Sequence, residues 1–566
     1  MIRDLSRLGA TSFDLIIIGG GIYGAAAAWE ATSRSLSVAL IERADFGHTT
    51  SAQSLRVVHG GLRYLQNLDI PRIRATDRER KILMRIAPHL VRVLPILLPT
   101  YNRGIQRRPI VGAALAAHEL LSCDRNHGIR DPDKRIPMAR LVSKRDCLRL
   151  APGLATAGLT GGAIYYDGQT TNAERLTLAY VRTAANHGAV VANYVAANGF
   201  LRHDGRIVGV LATDLLTGRS IDIRAKAVLN TAGPWVDDVI ATPGGIDRPR
   251  PPARFVKTIN IVTRPLTEAH AIALTVPRRD AKGNAGIGGR LIYILPWHRS
   301  SNIGSAHFVD SGDADACTAN AADIAALLDD VNAAYPAAGL TPDDLRLVRT
   351  GLVPGAETGP PDPYRTARHH RIIDHGSEGS EGLVSVVGVK ATMARHVAEK
   401  AVSLVAGRLA THVVPSQSAH LPLHGGDIEN YGIYLNKILR RRALGLADAP
   451  LEQLARNYGA DIGAVLRLAE QHPELGKTMA RSSPILRAEV VHAVRSEMAL
   501  TLDDVVLRRT EMASAGHPGA QALQTAAQLM AEELGWDAET THRETAATER
   551  ALDRAHAKPH AGLKAD

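Results

Sequence analysis

Apolar positions along the chain change period three times, and each change predicts a different kind of structure. Near the start Leu15-Ile16-Ile17-Ile18 is apolar at every position, then meets Gly19, Gly20 and Gly21, with Gly24 close behind. A run without alternation predicts a strand covered on both faces, as in a parallel sheet. An alanine-rich helix follows, then a second strand, Val38-Ala39-Leu40-Ile41, ending at the acid Glu42. The same texture returns with a helix over Ala173 to Asn186 and a strand over Ala189 to Val195. Two short strands then flank the turn His203-Asp204-Gly205, and a further strand closes at Gly233. Leu383 to Gly388 reads as another buried strand, opening into a helix from about Thr392 to Leu404. Between Phe255 and Phe308, short β-rich runs such as Ile259–Val262 and Leu291–Leu295 predict a second sheet.

Beyond Pro415 strand signals cease and helical periodicity governs to about residue 536. Val490, Val494 and Met498 recur at i, i+4 and i+8, and Thr501 with Asp504 reads as a capping box. The pattern therefore predicts an α/β unit over residues 1–415 with a β-rich layer mainly in 90–160 and 250–350. A separate α-helical domain is expected over 416–540, and a flexible tail over 541–566, where Ala, Lys, His and Glu dominate.

Chemistry enters at the first turn. The spacing G-x-G-x-x-G between a strand and a helix, with an acid ending the next strand, suits a dinucleotide. Gly19 permits the tight turn, Gly21 lets backbone N–H groups approach a pyrophosphate, and Gly24 lets helix and strand pack closely. The pyrophosphate would sit at the positive end of the helix dipole, with Glu42 accepting bonds from the adenosine ribose. NAD, NADP and FAD share this signature. Glu42 would repel the 2′-phosphate of NADP, although the adjacent Arg43 keeps that option open. A chain of 566 residues with the motif at its start favours FAD.

Composition narrows the picture further. Cys123, Cys147 and Cys317 lie far apart, which argues against a disulfide framework or a zinc site and fits a reducing compartment. No apolar stretch approaches the roughly 18 residues that span a bilayer, and the first strand comes too early for a signal peptide, so a cytoplasmic protein is expected. The net charge of +10 is partly clustered. Arg103, Arg107 and Arg108 precede the apolar run Ile110 to Leu121, and Lys437 stands with Arg440, Arg441 and Arg442. Such rims suit anionic lipid, a peripheral contact with the inner face of the cytoplasmic membrane. With only 4% aromatic residues and none interleaved with these patches, nucleic acid is not expected as a partner.

Several separated motifs together resemble the FAD-dependent glycerol-3-phosphate dehydrogenases, within the D-amino-acid-oxidase-like flavoenzymes. They are Ile17 to Gly24, His59-Gly-Gly-Leu-Arg-Tyr-Leu65, Tyr165-Tyr-Asp-Gly-Gln169, Asn230 to Trp235, Ile294 to Trp297, Val490 to Met498 and Leu507 to Thr510. The resemblance implies a Rossmann-like FAD-binding domain with an inserted β-rich substrate domain and a C-terminal α-helical cap. It implies FAD over Gly19, Gly21, Gly24 and Glu42, with Val195 near the adenine. Thr49, Thr50 and Ser51 would line the pyrophosphate or ribityl region, and Gly60, Gly61 and Leu62 the isoalloxazine. Gly233, Gly388 and Lys390 would complete the cofactor site. Arg63, Tyr64, Lys390 and Thr392 would contact substrate. In such enzymes a secondary alcohol, by default sn-glycerol 3-phosphate, gives hydride to FAD, and quinone accepts the electrons; a homodimer is compatible with it.

Three departures concern the substrate pocket. Where the family usually reads G-x-R-P, this chain reads Gly351-Leu352-Val353-Pro354, so an arginine that would grip phosphate is valine. One such charged bond is worth about 1.5–3 kcal/mol, or one to two decades of affinity. A family histidine is Asn260, which cannot act as a general base. The paired glycines before the lysine become Gly388-Val389, and a family I-G-T-T-D becomes Ile303-Gly304-Ser305-Ala306-His307, which offers His307 as a replacement base. These departures leave open another polyol or polyol phosphate, a hydroxy acid or an amine as substrate, or a low-turnover flavin-binding redox protein.

Overall fold

The computed structural model describes residues 1–566 except 247–252, 280–284, 310–312, 358–361, 363–364, 410–412, 482 and 557–566. Two sheets carry it. The first runs, edge to edge, Arg371–Asp374, Leu383–Val387, Ser220–Asn230, Ser12–Ile18, Val38–Ile41 and Val190–Ala192. Along this path all neighbours are parallel except the Arg371–Asp374 edge, and Arg206–Asp214 adds to Ser220–Asn230 antiparallel. The unbroken apolar run at the start of the chain is explained here. Leu15 and Ile17 enter a core with the helix Ile22–Ser33, while Ile16 and Ile18 enter another on the opposite face. Both faces are covered, so no position can be polar. The expected hairpin forms between Val195–His203 and Arg206–Asp214, with Asp204 and Gly205 at positive φ in its turn.

The second sheet holds nine strands, among them Leu347–Pro354, Phe255–Thr263, Ser300–Val309, Ala285–Trp297, Val91–Tyr101 and Leu159–Thr170. Its strands Phe255–Thr263 and Leu347–Pro354 hydrogen-bond to the loop 49–56 through Asn260 and Leu352.

Helices follow from Tyr431–Arg441 onward, through Arg487–Glu497, to the last, Ala538–His556. Asp504 accepts from the N–H groups of Leu500 and Thr501 and caps the turn as its spacing with Thr501 implies. Buried ion pairs fasten these helices to the α/β unit. Arg508 and Arg509 hold Asp45 at 2.7 and 2.6 Å, and Arg175 and Arg182 hold Glu497 at 2.6 and 2.7 Å. The tail expected to be flexible is helical as far as His556. Leu552 and Thr548 are buried, Leu552 against Val505, Val506 and Met530. One leucine among alanines suffices because the groove it enters is already built by the preceding helices. Residues 557–566 lie outside the described residues.

Candidate active site

A cavity of about 1880 Å³ lies between the sheets and the helical domain. That is well above the 300–1,000 Å³ of an ordinary ligand pocket, so it has room for a dinucleotide and a substrate together. Its nucleotide end is built by backbone. Gly19 has φ +100, and a Cβ on Gly24 would stand 1.8 Å from the Gly19 carbonyl oxygen. Only glycine fits at either position. The helix Ile22–Ser33 begins at Gly21 with no side-chain cap from that residue, and Ser51 Oγ accepts the N–H of Ile22 at 2.9 Å. Glu42 accepts from the N–H of Gly20 at 2.6 Å and of Ala44 at 2.8 Å. Burial pushes its carboxyl up while those two bonds oppose the shift. Val195 lines the cavity beside it, its N–H on the Glu42 carbonyl at 2.8 Å. A helix that starts at a glycine, glycines that admit no side chain and an acid at the strand end fit the adenosine diphosphate part of FAD.

Further in, Thr49, Thr50, Ser51, Gly61, Leu62, Gly233 and Gly388 all line the cavity. Thr50 has a further role, and Gly60 departs from expectation. The Thr50 hydroxyl exchanges bonds with both the N–H and the carbonyl of Leu352 at 3.2 Å, which ties its loop to the strand Leu347–Pro354. Gly60 is not on the cavity wall. It packs where a Cβ would lie 2.0 Å from Arg80 Nη1, and its N–H donates to Asp167 Oδ1 at 2.6 Å.

Four basic groups face the substrate end. Arg63 is exposed to the cavity, and Arg290 enters it from the strand Ala285–Trp297, where it pairs with Asp330. The buried ring of Tyr64 lies under both the Arg72 guanidinium, 4.1 Å from its centroid, and Lys390 Nζ, at 4.8 Å. Desolvation, then Arg63 and Arg72, push the Lys390 ammonium down to about 7. The Lys390 peptide is fixed by Tyr23, whose hydroxyl donates to its carbonyl at 2.7 Å and accepts from its N–H at 3.0 Å. Thr392 accepts the His59 N–H at 3.2 Å, so its hydroxyl is occupied in placing that histidine.

Asn260 is a structural tie. It donates to the Gln53 carbonyl at 2.8 Å and accepts from Ser305 Oγ at 2.7 Å, which joins two strands and the loop 49–56. His307 lines the cavity, pushed down to about 4 by desolvation, then Arg290 and Arg63. No carboxylate pairs with it among the described residues.

His59 is the histidine that has such a partner. Its Nδ1 lies 3.4 Å from Asp167 Oδ2. Asp167 Oδ1 accepts from Gly60 N–H and from Arg80 Nη1 at 3.1 Å, and Arg80 is held in turn by Asp77. His59 and these partners keep Asp167 below the usual carboxylate range against the effect of burial. Burial and Lys390 lower His59, with Asp167 opposing them, so the ring is neutral near pH 7. The sequence carried a signal for both residues, since His59 heads one quoted motif and Asp167 sits in another. Nothing local said that they meet.

Comparison with known proteins settles the ancestry. Residues 14–400 match the FAD dependent oxidoreductase family, and 416–541 match the C-terminal domain of alpha-glycerophosphate oxidase. A glycerol-3-phosphate dehydrogenase of Synechocystis sp. is 33% identical over 95% of this chain and 96% of its own length. The chain belongs to the FAD-dependent glycerol-3-phosphate dehydrogenases. A second member, from Mycobacterium leprae, is 32% identical over 95% of this chain and 88% of its own. The solved structure of the Bacillus halodurans glycerol-3-phosphate dehydrogenase complexed with FAD superposes with a TM-score of 0.77 at 26% identity, covering 99% of this chain and 98% of that one. As a member of this family the protein is a flavoprotein oxidoreductase whose cofactor is FAD.

Proposed function

We propose that this dehydrogenase oxidises the secondary alcohol of sn-glycerol 3-phosphate to the ketone of dihydroxyacetone phosphate. FAD, when bound, supplies the hydride acceptor. Arg63 and Lys390 hold the phosphate, and Arg290 adds positive charge from the strand opposite, at the end of the cavity that Val353 leaves without an arginine. Tyr64, Tyr23 and Thr392 position these groups. His59 takes the hydroxyl proton on Nε2 while Asp167 keeps Nδ1 protonated and stabilises the imidazolium that results. In this reading neither Asn260 nor His307 serves as base.

The observation that carries this reading is the convergence of a carboxylate-oriented, neutral histidine with the cationic side chains of Arg63, Lys390 and Arg290 at one end of a cofactor-sized cavity. Anaerobic addition of glycerol 3-phosphate to the yellow protein is expected to bleach it, with glycerol, 2-hydroxy acids and amines far slower. Bleaching by an unphosphorylated substrate instead would identify a divergent member of the family.

Quinone is the acceptor that the surface favours. The cavity continues along Leu98, Ile105, Ile110, Val111 and Leu115 to the helix Arg108–Leu121. There Ile105, Ile110 and Leu120 are exposed beside Arg103, Arg107 and Arg108, an apolar patch with a basic rim. Among the described residues no helix is long and apolar enough to cross a membrane. Peripheral docking is therefore the contact proposed, and co-sedimentation with vesicles containing anionic lipid, lost in Ile110→Glu, tests it.

A further inference from the structure

The same cavity extends toward the C-terminal helices, where Arg56, Glu174, Trp297, Arg349 and Ser514 line it. Both guanidiniums stand over the Trp297 indole, 4.7 Å from its centroid for Arg56 and 4.5 Å for Arg349. They can therefore be no further apart than those two distances combined. Both residues are buried, at 3% and 4% exposure. Arg56 gives one terminal nitrogen to Glu174 at 2.7 Å, which leaves Nε and Nη1 without an acceptor among the described residues. Arg349 donates Nη2 to the Ser514 carbonyl at 3.2 Å and leaves Nη1 likewise. The other acid at this end, Glu511, is engaged by His298 at 3.3 Å and Arg456 at 3.4 Å. Glu174 and, at longer range, Glu511 face Arg56, while Arg349 hydrogen-bonds no carboxylate among the described residues. Folding leaves charged donors unpaired only at a cost, and an occupant that accepts from them removes it. Burial and the nearby Arg56 push even the Arg349 guanidinium down to about 9.

We propose that this chamber is a second anion subsite, separate from the substrate end, which takes a phosphate-class oxyanion on Arg56 and Arg349. Guanidinium forks match the geometry of phosphate oxygens, and the indole fixes the plane of each fork. The exposed Arg554, on the helix Ala538–His556, also lines this end and adds a cation on the solvent side. The anion is either free inorganic phosphate or the phosphate group of a metabolite. The pyrophosphate of FAD has its own seat at Gly21.

The test uses FAD-loaded protein prepared without phosphate and equilibrium dialysis against labelled inorganic phosphate. Arg63→Ala weakens the substrate end, so saturable binding that survives reports the chamber. One phosphate per chain is expected in that variant, with a thermal midpoint that rises as phosphate is added. Adding Arg349→Gln should weaken binding at least about ten-fold, the value of one charged hydrogen bond, and abolish the rise. Equal binding with and without Arg349→Gln, or no saturable binding in Arg63→Ala, overturns the proposal. Should Arg349→Gln not retain FAD, Arg349→Lys keeps the charge and loses the fork. It should bind phosphate more weakly, and unchanged binding counts against the site. Displacement of the label by glycerol 3-phosphate in the Arg63→Ala protein assigns the anion to a metabolite, and failure to displace it assigns it to free phosphate.

Discussion

Gly388 is what lets Tyr23 reach Lys390. A Cβ at position 388 would stand 2.1 Å from the Tyr23 ring, whose hydroxyl grips the Lys390 peptide at both its N–H and its carbonyl. The glycine contributes to the substrate site by admitting a tyrosine from the cofactor helix, 365 residues away in sequence, and that tyrosine aims the lysine.

Tyr23→Phe keeps the ring and deletes both bonds, each worth about 0.5–1.5 kcal/mol. KM for glycerol 3-phosphate should rise about ten-fold with FAD content unchanged. Gly388→Ala should do worse, because it expels the ring itself. Steady-state kinetics on FAD-saturated protein decides between this and a purely structural role, which would lower FAD occupancy and leave KM alone.

The pH profile follows from two groups with opposite requirements. His59 must be neutral to accept a proton, and its lowered pKa places the acid limb of kcat/KM below 6.5. Lys390 must be charged to hold phosphate. Its ammonium, lowered to about 7, is lost as pH rises through that value, which gives an alkaline limb that a bound dianion moves upward. Lys390→Met should remove the alkaline limb and move the acid limb upward, since the Lys390 charge is one of the causes that lower His59. Asp167→Asn should shift the acid limb to still lower pH, since Asp167 is what raises His59. His59→Asn should cost about 10²–10⁴-fold in kcat, the range for a lost general base. A His59→Asn enzyme with near-normal kcat would return the role of base to His307.

Val353→Arg restores a guanidinium on a cavity-lining strand. If phosphate is the recognised group, KM for glycerol 3-phosphate should fall about ten-fold, with no change for glycerol. Stopped-flow flavin reduction measures both; a rise for the phosphorylated substrate would show that the pocket has been rebuilt around valine.

Asp45 joins the cofactor domain to the helical domain, and Arg508 and Arg509 hold its carboxyl well below the usual range against burial. Asp45→Ala leaves the buried Arg509 guanidinium without its carboxylate and Arg508 with Asp504 alone, and should destabilise by about 3–5 kcal/mol. Because the folded pKa is depressed, the stabilisation is full above the ordinary carboxylate pKa and fades as pH falls below it. Thermal melts of wild type from pH 7 to pH 3 should therefore lose a component that Asp45→Ala lacks throughout.

Local rules made part of this protein legible in its sequence. A run of Leu15 to Ile18 covered on both faces, a turn that only Gly19 can make, a hairpin at Asp204-Gly205 and a cap at Asp504 are decided within a few residues by sterics and backbone hydrogen bonding. Tertiary structure decided the partners. Whether His59 meets a carboxylate depends on Asp167, brought by a strand more than a hundred residues on. Asn260 became a tie between loop and sheet because its neighbours Gln53 and Ser305 offered bonds that no spacing announces. The helix Ala538–His556 reads as a polar tail until a groove already built by other helices receives Leu552. Contacts between distant segments are set by how the layers stack, and that stacking energy is shared among residues none of which carries the signal alone.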